Sequence, residues 1–396
     1  MIYATHIDRE APLASVLRDL RRIGAVSQPF RRNPWYRLLE ADNSAHDAIS
    51  AVDGVAGCCD CHMPVMVHPP TLALDQPAAG GLWPLAAISN TPGVYSADAD
   101  GAGVVITTVD VPGNFALAEF GGRASLRYNP SGGFGLHGTA MAACAIGEIH
   151  GVAKGATLRA FAGFNADGSS TVQEVNAAID AQTSDIEDDP PPGAVVASYS
   201  FNTAGINVAD VHRAVIDRLA SLGVPIVASS GNNASLLSTA VFGFRSWPCM
   251  HAAVIGVGGH NESSEWYPIG NWGEGVAIHA PGWDLELIDQ NGHPFTGSGT
   301  SPAAQYVAGA MACAAQAGKI DLRAWVLAQA RLGVMTGIPS GADGVLFKPA
   351  LLLSPQASDG LHDWDGGDAF TEAYIFDADG GDASTVYNPL NDLQDS

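Results

Sequence analysis

The stretch "GAGVVITTVD", residues 101–110, decides the fold. Six of its last seven residues are β-branched, preceded by glycines and closed by an acid, which reads as a buried strand. Helix-period and strand-period segments alternate after it. "GTAMAACAIGEI" (138–149) reads as a helix, "ATLRAFAGF" (156–164) as a strand and "SSTVQEVNAAIDAQ" (169–182) as a helix. "GAVVASYSF" (193–201) is a strand, "NVADVHRAVIDRLASLG" (207–223) a helix, and "PIVASSG" (225–231) and "AAVIGVGG" (252–259) are strands. Such alternation predicts right-handed crossovers and an α/β fold with a mostly parallel sheet. Chemistry in such a sheet gathers beyond the carboxyl ends of its strands.

Three reactive side chains fall at such places. Asp110 closes the first strand, His137 opens the helix in "GLHGTAMAAC", and Ser301 opens another in "GSGTSPAAQ". Ser301-Pro302 by itself reads as an N-cap followed by a first-turn proline. Asp110 alone reads as a strand-end cap, and Asn232, in "SSGNNAS", as a turn former. The order Asp, His, Ser gives them a joint meaning, because it is one of the chain orders in which a nucleophile, its base and the base's orienting acid occur.

Composition narrows the partners. The 396 residues carry 41 acids against 18 bases, a net charge of −23, with three lysines. That charge repels phosphate backbones, so nucleic acid and anionic membranes are excluded as expected partners. No apolar run reaches the roughly 18 residues of a membrane span. "MIYATHIDREAPLASVLRDLRR" lacks the basic-then-apolar pattern of a signal peptide, so the expected location is the cytoplasm, or export by a route independent of such a signal. Cys58, Cys59 and Cys61 crowd beside His62, but no second ligand pair stands at zinc-like spacing, and all six cysteines read as free thiols.

Four segments follow. Residues 1–62 read as a small α+β unit in the order strand, helix, strand, helix, strand. Residues 63–81, "MPVMVHPPTLALDQPAAGG", read as a linker. Residues 82–354 carry the α/β pattern. Residues 355–396 hold ten acids and no Lys or Arg. In that tail, "DWDGGDA" and "DADGGDA" set Asp363, Asp365, Asp368, Asp377, Asp379 and Asp382 around paired glycines. They are weak candidates for Ca²⁺, and also read as exposed Asp-Gly turns.

Several blocks, in order, resemble the subtilisin-like serine peptidases (subtilases). "VVITTVD" resembles the family's catalytic-Asp strand, "HGTAMAA" its His block, "VVASYSFN" its Ser-Leu-Gly strand and "IVASSGNN" its oxyanion-Asn block. "AAVIGVGG" and "VAIHAPG" match two structural blocks, and "GTSPAAQYVAGAMA" the nucleophile block. The resemblance spans about residues 82–320. It implies a three-layer subtilisin-like fold and a serine endopeptidase with triad Asp110, His137 and Ser301 and oxyanion donor Asn232. It implies that Ser200, Phe201 and Asn202, with Gly163 on a second edge, bind an extended peptide. Ser229, Ser230 and Gly231 would line the pocket for the residue before the scissile bond. No cofactor is needed for the chemistry; structural Ca²⁺ is the one addition considered. Residues 1–62 resemble the propeptide of a self-processing zymogen, an intramolecular inhibitor cleaved from the enzyme within the linker. A catalytically silent relative that binds peptides or acts as a scaffold is the alternative.

Three positions depart from the family pattern. Val111-Pro112-Gly113 follow the Asp where Ser or Thr and then Gly are usual. Met141-Ala142-Ala143 replace Val-Ala-Gly. Pro302 and Gln305 stand where the family carries Met directly after the Ser and Pro four residues after it.

Overall fold

The computed structural model describes residues 2–7, 12–30, 33–41, 45–53, 55–60, 64–66, 83–89, 99–206, 211–240, 243–332, 334–339 and 350–351. The acidic tail, with its six candidate Ca²⁺ ligands, lies outside the described residues.

The chain begins with β1 (Ile2–Ile7), α1 (Leu13–Arg22), β2 (Val26–Phe30), β3 (Asn33–Glu40), α2 (His46–Ser50) and β4 (Val55–Asp60). These strands form one sheet in the order β2-β3-β1-β4, with every pairing antiparallel. Val16 and Leu20 of α1 are buried with Leu39 and Ile49 to form its small core. The expected order lacked β2. Its sequence, "VSQPF", carries no period-2 apolar signal and a proline, and Pro cannot donate to a ladder. As the edge strand of its sheet, β2 tolerates that loss.

The linker is not wholly irregular, since β5 (Pro64–Met66) follows, and then α3 (Trp83–Ser89). The large unit continues with β6 (Val105–Asp110), β7 (Ala124–Tyr128), α4 (Leu136–Ile146), β8 (Thr157–Ala162), β9 (Ser169–Thr171) and α5 (Val172–Asp188). Next come β10 (Val195–Tyr199), β11 (Thr203–Ile206), α6 (Arg213–Ala220), β12 (Ile226–Ser229), β13 (Leu236–Leu237), β14 (Phe244–Trp247) and β15 (Val254–His260). The described chain closes with β16 (Trp272–Gly273), β17 (Val276–Pro281), β18 (Leu285–Ile288), β19 (Pro294–Gly297), α7 (Thr300–Gln316), α8 (Leu322–Ala328), β20 (Arg331–Leu332) and β21 (Ala350–Leu351).

The main sheet runs β20-β21-β17-β15-β12-β10-β6-β8-β7. Its pairings are parallel except β20 with β21. Strand alternation sorts side chains to two cores. Val196 and Val227 join the core shared with α4 and α7, while Ala197, Ile226 and Ala228 join the one shared with α5 and α6. The strands therefore read as continuous apolar runs, as both faces are covered.

Helix α7 is buried from Thr300 to Ala314. Its small residues let it approach α4 closely. A Cβ on Gly309 would lie 2.8 Å from Val152 Cβ and 3.1 Å from the Ala145 carbonyl oxygen. No helix among the described residues is long and apolar enough to cross a membrane. Cys144, Cys249 and Cys313 are buried thiols in no disulfide among the described residues; burial pushes the first two up to about 12, so they are inert.

Three histidines are buried in neutral form. Burial lowers His212 to about 3, His260 to about 4 and His279 to about 3. Both ring nitrogens of His279 lack a hydrogen-bond partner among the described residues. The unfolded chain binds these protons below about pH 6.5, whereas the native state refuses them until pH 3–4. Stability should therefore fall as pH drops below about 6.5. Urea midpoints measured between pH 7.5 and 5 should decrease, and more shallowly in His279→Leu; an identical slope in that variant contradicts this account.

Candidate active site

The sites of interest sit at one end of the sheet. Asp110 is the last residue of β6, and Ser200–Asn202 continue directly from β10. Ser230–Asn232 continue from β12. His137 and Ser301 are each the second residue of their helix, α4 and α7. Parallel strands put these ends together, which is how residues almost 200 positions apart in sequence meet.

His137 is held from both sides by close backbone approaches. A Cβ on Gly138 would lie 1.8 Å from the Val111 carbonyl oxygen, and one on Gly135 would lie 2.6 Å from that of Ala166. Neither glycine can carry a side chain while α4 docks on the loop after Asp110. The Gly135 N–H donates to the Pro112 carbonyl at 2.7 Å, and the Asn114 N–H to Thr139 Oγ1 at 2.9 Å. The unusual Val111-Pro112-Gly113 loop thus still seats the helix start.

His137 Nδ1 stands 2.6 Å from Asp110 Oδ1, which also accepts the Val111 N–H at 2.6 Å. Both side chains are buried. An ionised carboxylate can only accept, so Nδ1–H donates to Asp110. Nε2 has no partner among the described residues. The Ser301 hydroxyl instead donates to the Ser200 carbonyl at 3.0 Å. Asp110 and His137 meet directly, while Ser301 starts α7, which packs on α4, and no hydrogen bond joins it to His137. Such bonds commonly tighten when substrate is present.

Ser301 is not the N-cap the sequence suggested. That place belongs to Gly299, and Thr300, Ser301 and Pro302 fill the first turn. The cap comes from elsewhere: Asn232 Oδ1 accepts both the Thr300 N–H and the Thr300 hydroxyl, each at 3.0 Å. The Thr300 hydroxyl accepts in turn from the Gly231 N–H at 3.1 Å. These contacts fix the Asn232 amide so that Nδ2 faces the other way. A Cβ on Gly299 would sit 3.4 Å from that Nδ2 and 3.8 Å from the Ser301 nitrogen. The Asn232 amide nitrogen and the Ser301 backbone nitrogen thus both lie within 4 Å of one point at the N-terminus of α7. Thr300 and Gly299 were missed by sequence reasoning, since they act through Asn232, 67 or 68 residues away.

The substrate-edge residues are placed less uniformly. Phe201 is buried, tilted against Tyr199 and Phe164 at 5.5 and 5.4 Å, so its side chain serves the core. Asn202 lies over Gly231: its Nδ2 is 2.6 Å from where a Cβ on Gly231 would stand. Ser229 and Ser230 are buried, and Ser230 Oγ donates to the Asn271 carbonyl at 3.3 Å. Gly163 donates its N–H to the Asp110 carbonyl at 3.1 Å and accepts the Ser170 hydroxyl on its own carbonyl. Its backbone is thus turned inward. The edge presented near it is β9, a strand the sequence hid inside a helix start, and β5 already pairs with it antiparallel, Val65 opposite Ser170. β3 of the N-terminal sheet lies against α6. No cluster of three or more His, Cys, Asp or Glu suited to a metal occurs among the described residues.

Comparison with known proteins gives the family. The family model "Subtilase family" (Peptidase_S8) matches residues 123–339, more than half of the chain, including His137, Asn232 and Ser301; Asp110 lies just before the matched segment. A subtilisin-like serine protease of Penicillium rubens, Pen ch 13, is 34% identical over 243 residues, 58% of each chain. Proteinase T of Parengyodontium album is 31% identical over 57% of this chain and 78% of its own. The chain thus spans little more than half the length of the first of these relatives. The crystal structure of a cold-adapted subtilisin-like serine proteinase superposes with a TM-score of 0.61 at 24% identity, over 70% of this chain and all of that one, and shows the fold. By sequence and by fold, the chain belongs to the subtilase family.

Proposed function

We propose that this protein is a serine endopeptidase made as a self-processing zymogen. The observation that carries the reading is the Asp110–His137 pair, with Nδ1 anchored and Nε2 without a partner among the described residues, at the same end of the sheet as Ser301 and the Asn232 amide. His137 Nε2 takes the Ser301 proton as Oγ bonds to the substrate carbonyl carbon. The oxygen that becomes an anion is stabilised by Asn232 Nδ2–H and the Ser301 N–H. Collapse expels the amine, which leaves with the proton from His137, and the acyl group stays on Ser301. Water then repeats the sequence, giving its proton to His137 and releasing the acid. Asp110 stabilises the imidazolium in both halves. Asn232→Ala should lower kcat by about 10²–10³ with KM little changed; an unchanged kcat contradicts the oxyanion role.

The N-terminal unit acts as the inhibitor. What supports this is the pairing of β5 with β9, which lays the chain after the small sheet along an edge leading to the site. Self-cleavage then falls a few residues beyond Met66, inside 63–81. Expression of the full chain beside Ser301→Ala tests it. Wild type should lose the mass of the N-terminal unit and the variant should not. Loss from both, or from neither, opposes the zymogen reading.

The silent-relative alternative draws on the Ser301 hydroxyl's bond to the Ser200 carbonyl. Rotation about one side-chain bond undoes that contact, so it does not exclude catalysis.

A further inference from the structure

Gln305, one of the departures from the family pattern, stands four residues after Ser301 and therefore on the same face of α7, one turn along. It is fully buried. Its Nε2 donates to Ser200 Oγ at 2.9 Å; Ser200 Oγ donates to the Ser301 carbonyl at 3.0 Å; and the Ser301 hydroxyl donates to the Ser200 carbonyl at 3.0 Å. The chain of donors runs Gln305 to Ser200 to Ser301 and returns to Ser200. The Gln305 Oε1 has no partner among the described residues. A buried amide with an orphaned carbonyl costs stability that the family's proline at this place does not. Its NH₂ group is the part put to use.

Resting on the serine-peptidase reading above, we propose that Gln305 is a positioning residue for the nucleophile. It fixes the Ser200 hydroxyl, whose single proton is thereby directed at the Ser301 carbonyl. That bond pins the first turn of α7 to the end of β10, and it aligns the Ser200 carbonyl that receives the Ser301 hydroxyl in the resting state. Gln305 thus sets where Ser301 Oγ rests and how far it turns to meet His137 Nε2. It touches neither substrate nor the reacting atoms. Gln305 and Ser200 act as one unit, since neither bond is oriented without the other.

The test measures the rate at which a small alkyl fluorophosphonate phosphonylates Ser301 in the full chain, across pH. In that reaction the Ser301 oxygen–phosphorus bond forms, fluoride leaves and His137 takes the proton. Gln305→Met keeps the shape and removes the donor; labelling should slow about tenfold, the scale of one lost buried hydrogen bond. Ser200→Ala should slow it similarly, and the double variant no further, because the two residues form one unit. Gln305→Glu supplies the readout a packing role would not move. Its neutral acid still donates to Ser200 Oγ, whereas its carboxylate accepts from it and pulls that hydroxyl off Ser301. The Glu variant's labelling rate should therefore fall on the alkaline side, through a titration that wild type lacks. Thermal melting of each variant separates loss of fold from loss of position. Wild-type rates in folded Gln305→Met, additive losses in the double variant, or a Gln305→Glu pH profile like that of wild type would each overturn the proposal. Failure of wild type itself to label at Ser301 would instead overturn the serine-peptidase reading.

Discussion

Ser301→Ala and His137→Ala should each lower kcat by about 10⁶, and the double variant should fall no further. That scale is the one known for a triad of this type, where removing either member costs nearly as much as removing all. The physical reason is local to this site. A serine hydroxyl is a poor nucleophile without a base, and His137 Nε2 is buried with no partner among the described residues. No neighbouring histidine can substitute: His212 is tied at both ring nitrogens to Asn176 and Thr203, and burial lowers His260 and His279 to about 4 and 3. Residual turnover above the uncatalysed rate should persist, because Asn232 and the α7 N-terminus remain. Initial rates on a peptide substrate with purified variants check this. Additive losses would mean that the two residues do not act on one proton.

Asp110→Asn should cost about 10⁴ in kcat and leave KM nearly unchanged. The carboxylate does two things at 2.6 Å: it holds Nδ1–H and it accepts the Val111 N–H. An asparagine oxygen can take over both contacts, so the fold around the loop should survive. What disappears is the negative charge facing the imidazolium that forms during each half-reaction, in a buried place where charge is poorly screened. A loss confined to kcat, with melting temperature near that of wild type, fits this account. A small effect would show that the His137 charge is stabilised from elsewhere.

Much of this was legible in the chain, and the exceptions share a cause. β6 and α7 were readable because their apolar patterns are long and their ends carry Asp110 and Ser301. The Asp–His–Ser order joins them at the level of sequence. What escaped was set by contacts distant in sequence. Ser301 reads as a cap, yet the cap of α7 is the Asn232 side chain. β9 hides because Thr171 and Glu174 form a capping box for α5, so "SST" reads as the helix's own start. The inward turn of Gly163 depends on Ser170, and the burial of Phe201 on two other aromatic rings. β2 was lost for a different reason, an edge strand's freedom to carry Pro29. Gln305 was visible as a departure from pattern, but its use of Ser200 is a matter of two elements meeting.

The central claim is that Ser301, activated by His137, is the nucleophile. Its most direct test is mass-spectrometric mapping of a fluorophosphonate adduct on wild type and on His137→Ala. The account predicts one adduct, on the peptide containing Ser301, and its disappearance in the histidine variant over the same time. No adduct on Ser301, or equal labelling of that residue without His137, would contradict it.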